Sequence, residues 1–255
     1  MTIDRSRWRK YIAESFTVSF PCPRCTKGSV RRGDSPVVLV EPAHSEREHK
    51  MDEWEPEWMR MAFTTMLTCD NPICGEVVAV SGRAGVDSLH DYDEVGQPHQ
   101  FYYNWLKPAS MAPAPPLFPI AKNLPEPVKD ELKLAFQLYW MDLSASTSRI
   151  RTSLERVLDE QGIATTAVDK KGKLRRLDLF DRIDLFEKQS NDADLAESMT
   201  AMRIIGNLGT HGDKVKEGDY FDLLDIYEDA LSEIYDQKTA KLKAKKQALI
   251  ALKKK

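Results

Sequence analysis

Lys107–Pro127 reads "KPASMAPAPPLFPIAKNLPEP" and carries seven prolines in twenty-one residues. Proline has a fixed φ and no amide donor, so this density predicts an extended, semi-rigid spacer with little helix or sheet. Its PxxP spacing also matches ligands of SH3-like grooves, but the spacer reading comes first. The stretch divides the chain, because the residues on its two sides follow different periodicities.

Before it, the pattern is short, aromatic and β-like. "TVSF" precedes Cys22, and "VVLV" spans 37–40. "FTTMLTC" and "EVVAVSG" flank the second cysteine pair and read as two arms of a hairpin. Between them lies a polar connector, "EPAHSEREHKMDEWEPEWMR". Trp54 and Trp58 in this connector, with Met59, Met61 and Phe63, are expected to cover the β domain.

After the prolines, apolar residues recur at helical spacing. Val128, Leu132, Ala135 or Phe136, and Tyr139 form one face, and Ile150, Leu154, Val157 and Leu158 form the next, which Gly162 ends. Three more helices follow. Leu174, Leu177, Phe180 or Asp181, and Leu185 mark the first, and Leu195, Met199, Met202 and Ile205 the second. Tyr220, Leu223 or Leu224, Tyr227, Leu231 and Ile234 mark the third. The expected organisation is a zinc-ribbon-like β domain over 1–106, a proline-rich linker over 107–125, a helical bundle over 126–237 and a basic tail over 238–255. The expected fold class is α+β, with a small β ribbon in front of an all-α bundle.

The chain of 255 residues has 42% hydrophobic and 30% charged residues and a net charge of −3, which suits a soluble globular protein. Charge is uneven. "KTAKLKAKKQALIALKKK" (238–255) holds eight lysines and no acid, leaving −11 on the first 237 residues. The tail is helix-compatible. It reads either as a solvated extension or as a contact for a phosphate backbone. No apolar run is long enough to cross a membrane, and the N-terminus lacks a signal-peptide core, so a cytoplasmic location is expected.

The four cysteines form two close pairs, Cys22 and Cys25 in "CPRC" and Cys69 and Cys74 in "CDNPIC". A two-residue gap lets both thiolates of a turn face one ion, and four thiolates in a tetrahedron usually hold Zn²⁺. Pro72 folds back the wider loop. A redox CxxC would need a surrounding βαβ pattern, which is missing. His44 and His49 could supply alternative ligands, although four cysteines already complete a set. The predicted role is a structural zinc ion holding a β domain with little core.

"MRIIGNLGTHG" (202–212) sets Arg203, Asn207 and His211 four residues apart, so they share a slowly drifting helical stripe as long as the helix persists past Gly206 and Gly209. Arginine can hold a phosphate, histidine can exchange protons near neutral pH, and the amide can orient either, which suits metal-independent phosphodiester cleavage. The other reading is a polar network at a helix end, with Glu155 as a partner for the arginine.

The segment Asn123–Gly162, followed by "RIDLFEK" and "MRIIGNLGTHG", resembles domain-of-unknown-function family 4145 over about residues 120–237. This family is placed within or near the HEPN superfamily of helical domains, many of them metal-independent ribonucleases. Arg151 to Glu155 match its Arg-x-x-Leu-Glu stretch, and Arg203 to His211 its Arg-x-x-Gly-Asn-x-x-x-His stretch. The two cysteine pairs, proline linker and helical domain also resemble bacterial members with a zinc ribbon in front. The resemblance implies a homodimer that brings two Arg/His motifs together. In that arrangement His211 is the acid/base, Arg203 the phosphate holder and Asn207 the orienting group. It further implies an RNA target and a partner from a defence locus. Ile204 after Arg203, and an Arg–His gap longer than the nuclease pattern carries, depart from that motif. The expected function is nucleic-acid-directed, an endoribonuclease of bacterial defence or stress response. The alternative is a noncatalytic dimerising binding or adaptor module with a structural zinc site.

Overall fold

A computed structural model of the chain describes residues 3–92, 97–121, 123–210 and 214–252. The chain divides into two compact units. One comprises Asp4–Leu117 with Phe136–Met141, and the other Met1–Ile3, Phe118–Ala135 and Asp142–Lys255.

The first unit is a curled antiparallel sheet of seven strands. The strands are β1 (Ile12–Ala13), β2 (Phe20–Pro21), β3 (Ser29–Arg31), β4 (Val38–Val40), β5 (Arg60–Cys69), β6 (Val77–Tyr92) and β7 (Pro98–Ala112). Their order is β1-β7-β6-β5-β3-β2, and β4 lies beside β5 at the other end of the edge that β3 occupies. A short helix, α1 (Ala43–Glu48), and a 3₁₀ turn at Pro56–Trp58 lie between β4 and β5.

β5 shows why the sheet has an inside. In "RMAFTTMLTC" every second residue is buried, from Met61 and Phe63 through Leu67 to Cys69, the pattern of a strand with one face on a core. β5 and β6 are the hairpin arms expected around the second cysteine pair, with Phe63 opposite Gly82 and Leu67 opposite Val78. Trp8, Phe20 and Trp140 close the core, with ring centroids 5.2–6.1 Å apart. The Tyr139 hydroxyl donates to the Trp8 carbonyl at 2.5 Å.

This sheet corrects the expected fold class. The N-terminal part is not a small zinc ribbon. Its framework is the pairing of two long strands, Val77–Tyr92 with Pro98–Ala112, and the cysteine loops sit at one end of a much larger sheet. The proline-rich stretch misled because its first residues, Lys107–Ala112, belong to β7. Pro108 is tolerated because it lies opposite Gly82, where the register shifts at a bulge and a ladder bond is already interrupted. Gly82 itself is required there: a Cβ would stand 2.1 Å from the Lys107 carbonyl oxygen.

The second unit is helical but not all-α. It contains α2 (Glu126–Tyr139, whose last turn belongs to the first unit), α3 (Leu143–Glu160), α4 (Leu179–Ser190), α5 (Ala193–Thr210), α6 (Glu217–Leu231) and α7 (Lys238–Leu252). A hairpin of β8 (Thr166–Val168) and β9 (Leu174–Arg176) interrupts it. Leu174, read from sequence as a helical position, is in β9. Val128, Leu132, Ile150, Leu154, Val157, Leu158, Met199 and Met202 are buried as their spacing predicts. Asp142 caps α3 by accepting from the amides of Ser144 and Ala145, and Asp178 caps α4 through the Asp181 amide. Two buried hydroxyl pairs join α3 to α6: Ser146 with Tyr220 and Ser153 with Tyr227, each at 2.7 Å. The second pair lies seven residues after the first on both helices, so α3 and α6 run in the same direction.

Candidate metal centre

The cysteines converge because β3 pairs with β5. That register sets Val30 opposite Cys69, and the Asp70 amide donates to the Ser29 carbonyl at 2.9 Å. The first pair follows β2 in a turn closed by the Cys22 amide on the Gly28 carbonyl at 3.0 Å. The second pair leaves β5 and folds back through Cys74 N to Asn71 O at 2.9 Å, with Gly75 at φ 56°. Asp70 ties the loops together, accepting from the Ser29 amide at 2.8 Å and from Arg31 at 2.5 Å.

All four sulfurs lie within 4.8 Å of one another. The Cys22 and Cys74 Sγ atoms are 3.7 Å apart, and those of Cys25 and Cys69 are 3.8 Å apart. A tetrahedron with metal–sulfur bonds near 2.3 Å has edges of about 3.8 Å, so this spacing fits one ion bound by four thiolates. Both of these contacts run between the two loops. An ion would therefore cross-link them. Four protein ligands leave no open position, so such a centre is structural rather than catalytic. His49 is used elsewhere, 2.9 Å from Glu41 and with its ring tilted against Trp54, centroids 4.4 Å apart. Among the described residues no histidine joins the cluster.

The local electrostatics are uneven. The Gly28 amide, 3.3 Å from Cys25 Sγ, and the Lys27 amide lower the Cys25 thiol to about 6. Burial pushes the Cys69 thiol up to about 12, and the neighbouring thiols add to that. At Cys74 the Glu76 amide pulls downward, but burial and the Cys25 and Cys22 thiols carry the group above its usual value. Three thiols in one place thus differ in readiness to ionise, and a cation at their centre would supply the charge that burial withholds.

The second group of sequence candidates lies on α5. Arg203 and Asn207 stand one turn apart. The Asn207 side-chain oxygen accepts a hydrogen bond from Arg151 of α3, and Arg151 Nε lies 3.6 Å from Glu155. Glu155 therefore pairs with Arg151. The Arg203 guanidinium lies over the Phe180 ring, 5.3 Å from its centroid, and among the described residues its buried Nε meets no acceptor. Gly206 lets α5 approach α3, since a Cβ would fall 2.9 Å from Arg151 Cβ. His211 lies outside the described residues.

Sequence reasoning missed Arg182, a buried cation that donates to Asp159 at 2.7 Å and to the carbonyls of Glu155 and Ile163. Its position on the apolar face of α4, beside Leu179, Ile183 and Phe186, was the available signal. With Arg151, Glu155, Thr165, Arg176 and Asp178 it lines a cavity of about 300 Å³.

A family model described as domain of unknown function (DUF8608) matches residues 10–110, and one described as domain of unknown function (DUF4145) matches residues 133–253. The second agrees with the resemblance read from the helical motifs. No curated protein and no solved structure matches. No described helix is long and apolar enough to cross a membrane.

Proposed function

We propose that the chain is a noncatalytic binding module whose β unit is held together by one structural zinc ion on Cys22, Cys25, Cys69 and Cys74. The observation that carries this reading is the sulfur spacing of 3.7 and 3.8 Å between two loops. All-thiolate tetrahedral sites favour zinc over the harder divalent ions. Free thiols used as ligands fit the reducing cytoplasm, where we place the protein. The helical unit is the natural seat of a homodimer on the family resemblance. Asn207 supports the noncatalytic reading, because its carbonyl is engaged by Arg151 within the same chain.

A second reading keeps the nucleic-acid-directed role, as an endoribonuclease of defence or stress response. The Nε of Arg203 favours it, a buried donor that meets no acceptor among the described residues, beside a motif that suits a phosphate. One experiment separates the two. Zinc-loaded full-length protein is incubated with total cellular RNA without added divalent cation, beside Arg203→Ala and His211→Ala. The binding-module reading predicts no cleavage by any of the three. Cleavage by the wild type that both variants lose would establish the nuclease.

A further inference from the structure

The edge of the sheet next to β1 is only partly covered. β1 pairs with β7 at Ile12–Leu106 and Ala13–Trp105, and the Glu14 amide donates to the Asn104 carbonyl at 3.2 Å. The chain then leaves the edge. The Phe16 amide turns back onto the Ala13 carbonyl at 2.9 Å, with Phe16 at φ 46°. Among the described residues no strand pairs with β7 between Pro98 and Tyr103 on that side. In an antiparallel ladder, alternate residues direct both backbone groups to one edge. Asn104 faces the β1 side, so Tyr102 and Gln100 present their amides and carbonyls to the uncovered edge.

An open cavity of about 690 Å³ lies where β1 departs, lined by Glu14, Trp54, Met59, Val86, Tyr102 and Asn104 among others. Among the described residues Glu14 is the only charged one in that lining. Its Oε2 accepts from Asn104 Nδ2 at 2.7 Å. Arg32 beside it donates its two terminal nitrogens to the carbonyls of Ser15 and Ser35 at 3.1 and 2.8 Å, while its buried Nε meets no acceptor among the described residues. The cavity thus offers aromatic side chains and one carboxylate. Tyr102, Val86 and Asn104 share a sheet face, since Val86 stands opposite Asn104 and side chains alternate along β7.

We infer that the free edge of β7 binds an extended peptide whose arginine or lysine side chain lodges in this cavity. This rests on the binding-module reading and names its partner. A peptide continuing the line of β1 takes hydrogen bonds from Tyr102 and Gln100, as in strand addition. Opposed residues in a ladder share a face, so its residue opposite Tyr102 projects into the cavity. There a cation meets the faces of Tyr102 and Trp54 and the Glu14 carboxylate, a setting that favours positive charge. A nucleic acid fits less well, because the lining has a carboxylate and no cation to meet a phosphate.

The test uses zinc-loaded full-length protein and four labelled, end-blocked heptapeptides of alternating Thr and Val. Their central residue is Arg, Lys, Leu or Glu. Fluorescence anisotropy reads affinity, and hydrogen exchange reads the Gln100 and Tyr102 amides. The Arg and Lys peptides are expected to bind about tenfold more tightly than the Leu and Glu peptides, a factor within the range of a cation over an aromatic face. Glu14→Gln or Tyr102→Ala lowers the Arg peptide's affinity several-fold, and both amides become protected on binding. The inference is overturned by any of four results. These are no binding of any peptide, a preference for Leu or Glu, binding without protection at β7, or stronger protection by an oligouridylate. RNA cleavage that depends on Arg203 would instead overturn the reading beneath it.

Discussion

Gly28 shows how much one hydrogen atom decides. A Cβ there would stand 2.7 Å from Cys69 Sγ and 2.8 Å from Asp70 Oδ1, too close without moving the cysteine loop. Gly28→Ala is therefore predicted to weaken zinc binding at least tenfold, measured by competition with a chromophoric chelator. The Cys25 thiol gives a pH dependence of definite sign. Its value near 6 means that it is a thiolate at pH 7.5 and takes up a proton as pH falls. Protons then compete with the metal at Cys25 as well as at the raised Cys69 and Cys74 thiols, so zinc affinity should fall with pH throughout and more steeply below about 6 than above it. At this scale the cysteines were fully legible, because CxxC and CxxxxC are local patterns. The Arg151–Asn207 contact was not legible, since the partners are 56 residues apart and meet only through the approach at Gly206.

Among the elements, α3 and α6 depend on hydroxyls as well as on apolar packing. Tyr227 is fully buried against Ser153. Ser153→Ala leaves the tyrosine hydroxyl without that partner and should cost about 1–3 kcal/mol in urea unfolding, whereas Tyr227→Phe leaves only the smaller serine hydroxyl to reorganise. Leu154→Ala, on the same buried face, should cost about 2–5 kcal/mol. Helices α2 and α3 could be read from sequence because their apolar residues keep one period and an aspartate caps the start of α3. β7 could not, because Pro108 and Pro113 weigh against a strand, and only the bulge opposite Gly82 makes Pro108 acceptable. Gly82→Ala tests that account. The added methyl meets the Lys107 backbone, which cannot rotate away, so the sheet should lose about 1–3 kcal/mol or more.

The molecule as a whole consists of two units with different supports. The helical unit has its own buried core and capped helices. The β unit relies on a curled sheet whose end is formed by two loops that the β3–β5 pairing and Asp70 set side by side and the four cysteines line. Composition and periodicity marked the change from β to helix near the prolines, but not the extent of the sheet. Two-residue strands such as β1 and β2 have too little periodicity to read, and the pairing of β6 with β7 is a property of register. Metal removal should consequently lower the melting transition of the β unit and leave the far-ultraviolet helical signal largely intact.

The most direct test is the metal content of the purified full-length chain by native mass spectrometry, beside a Cys25→Ser/Cys74→Ser double variant that removes one ligand from each loop. One zinc ion per chain, absent from the double variant, is the predicted result. A folded wild-type chain that carries no metal even after zinc is supplied, or a double variant that binds it equally well, would contradict the metal-held β unit on which the proposed function rests.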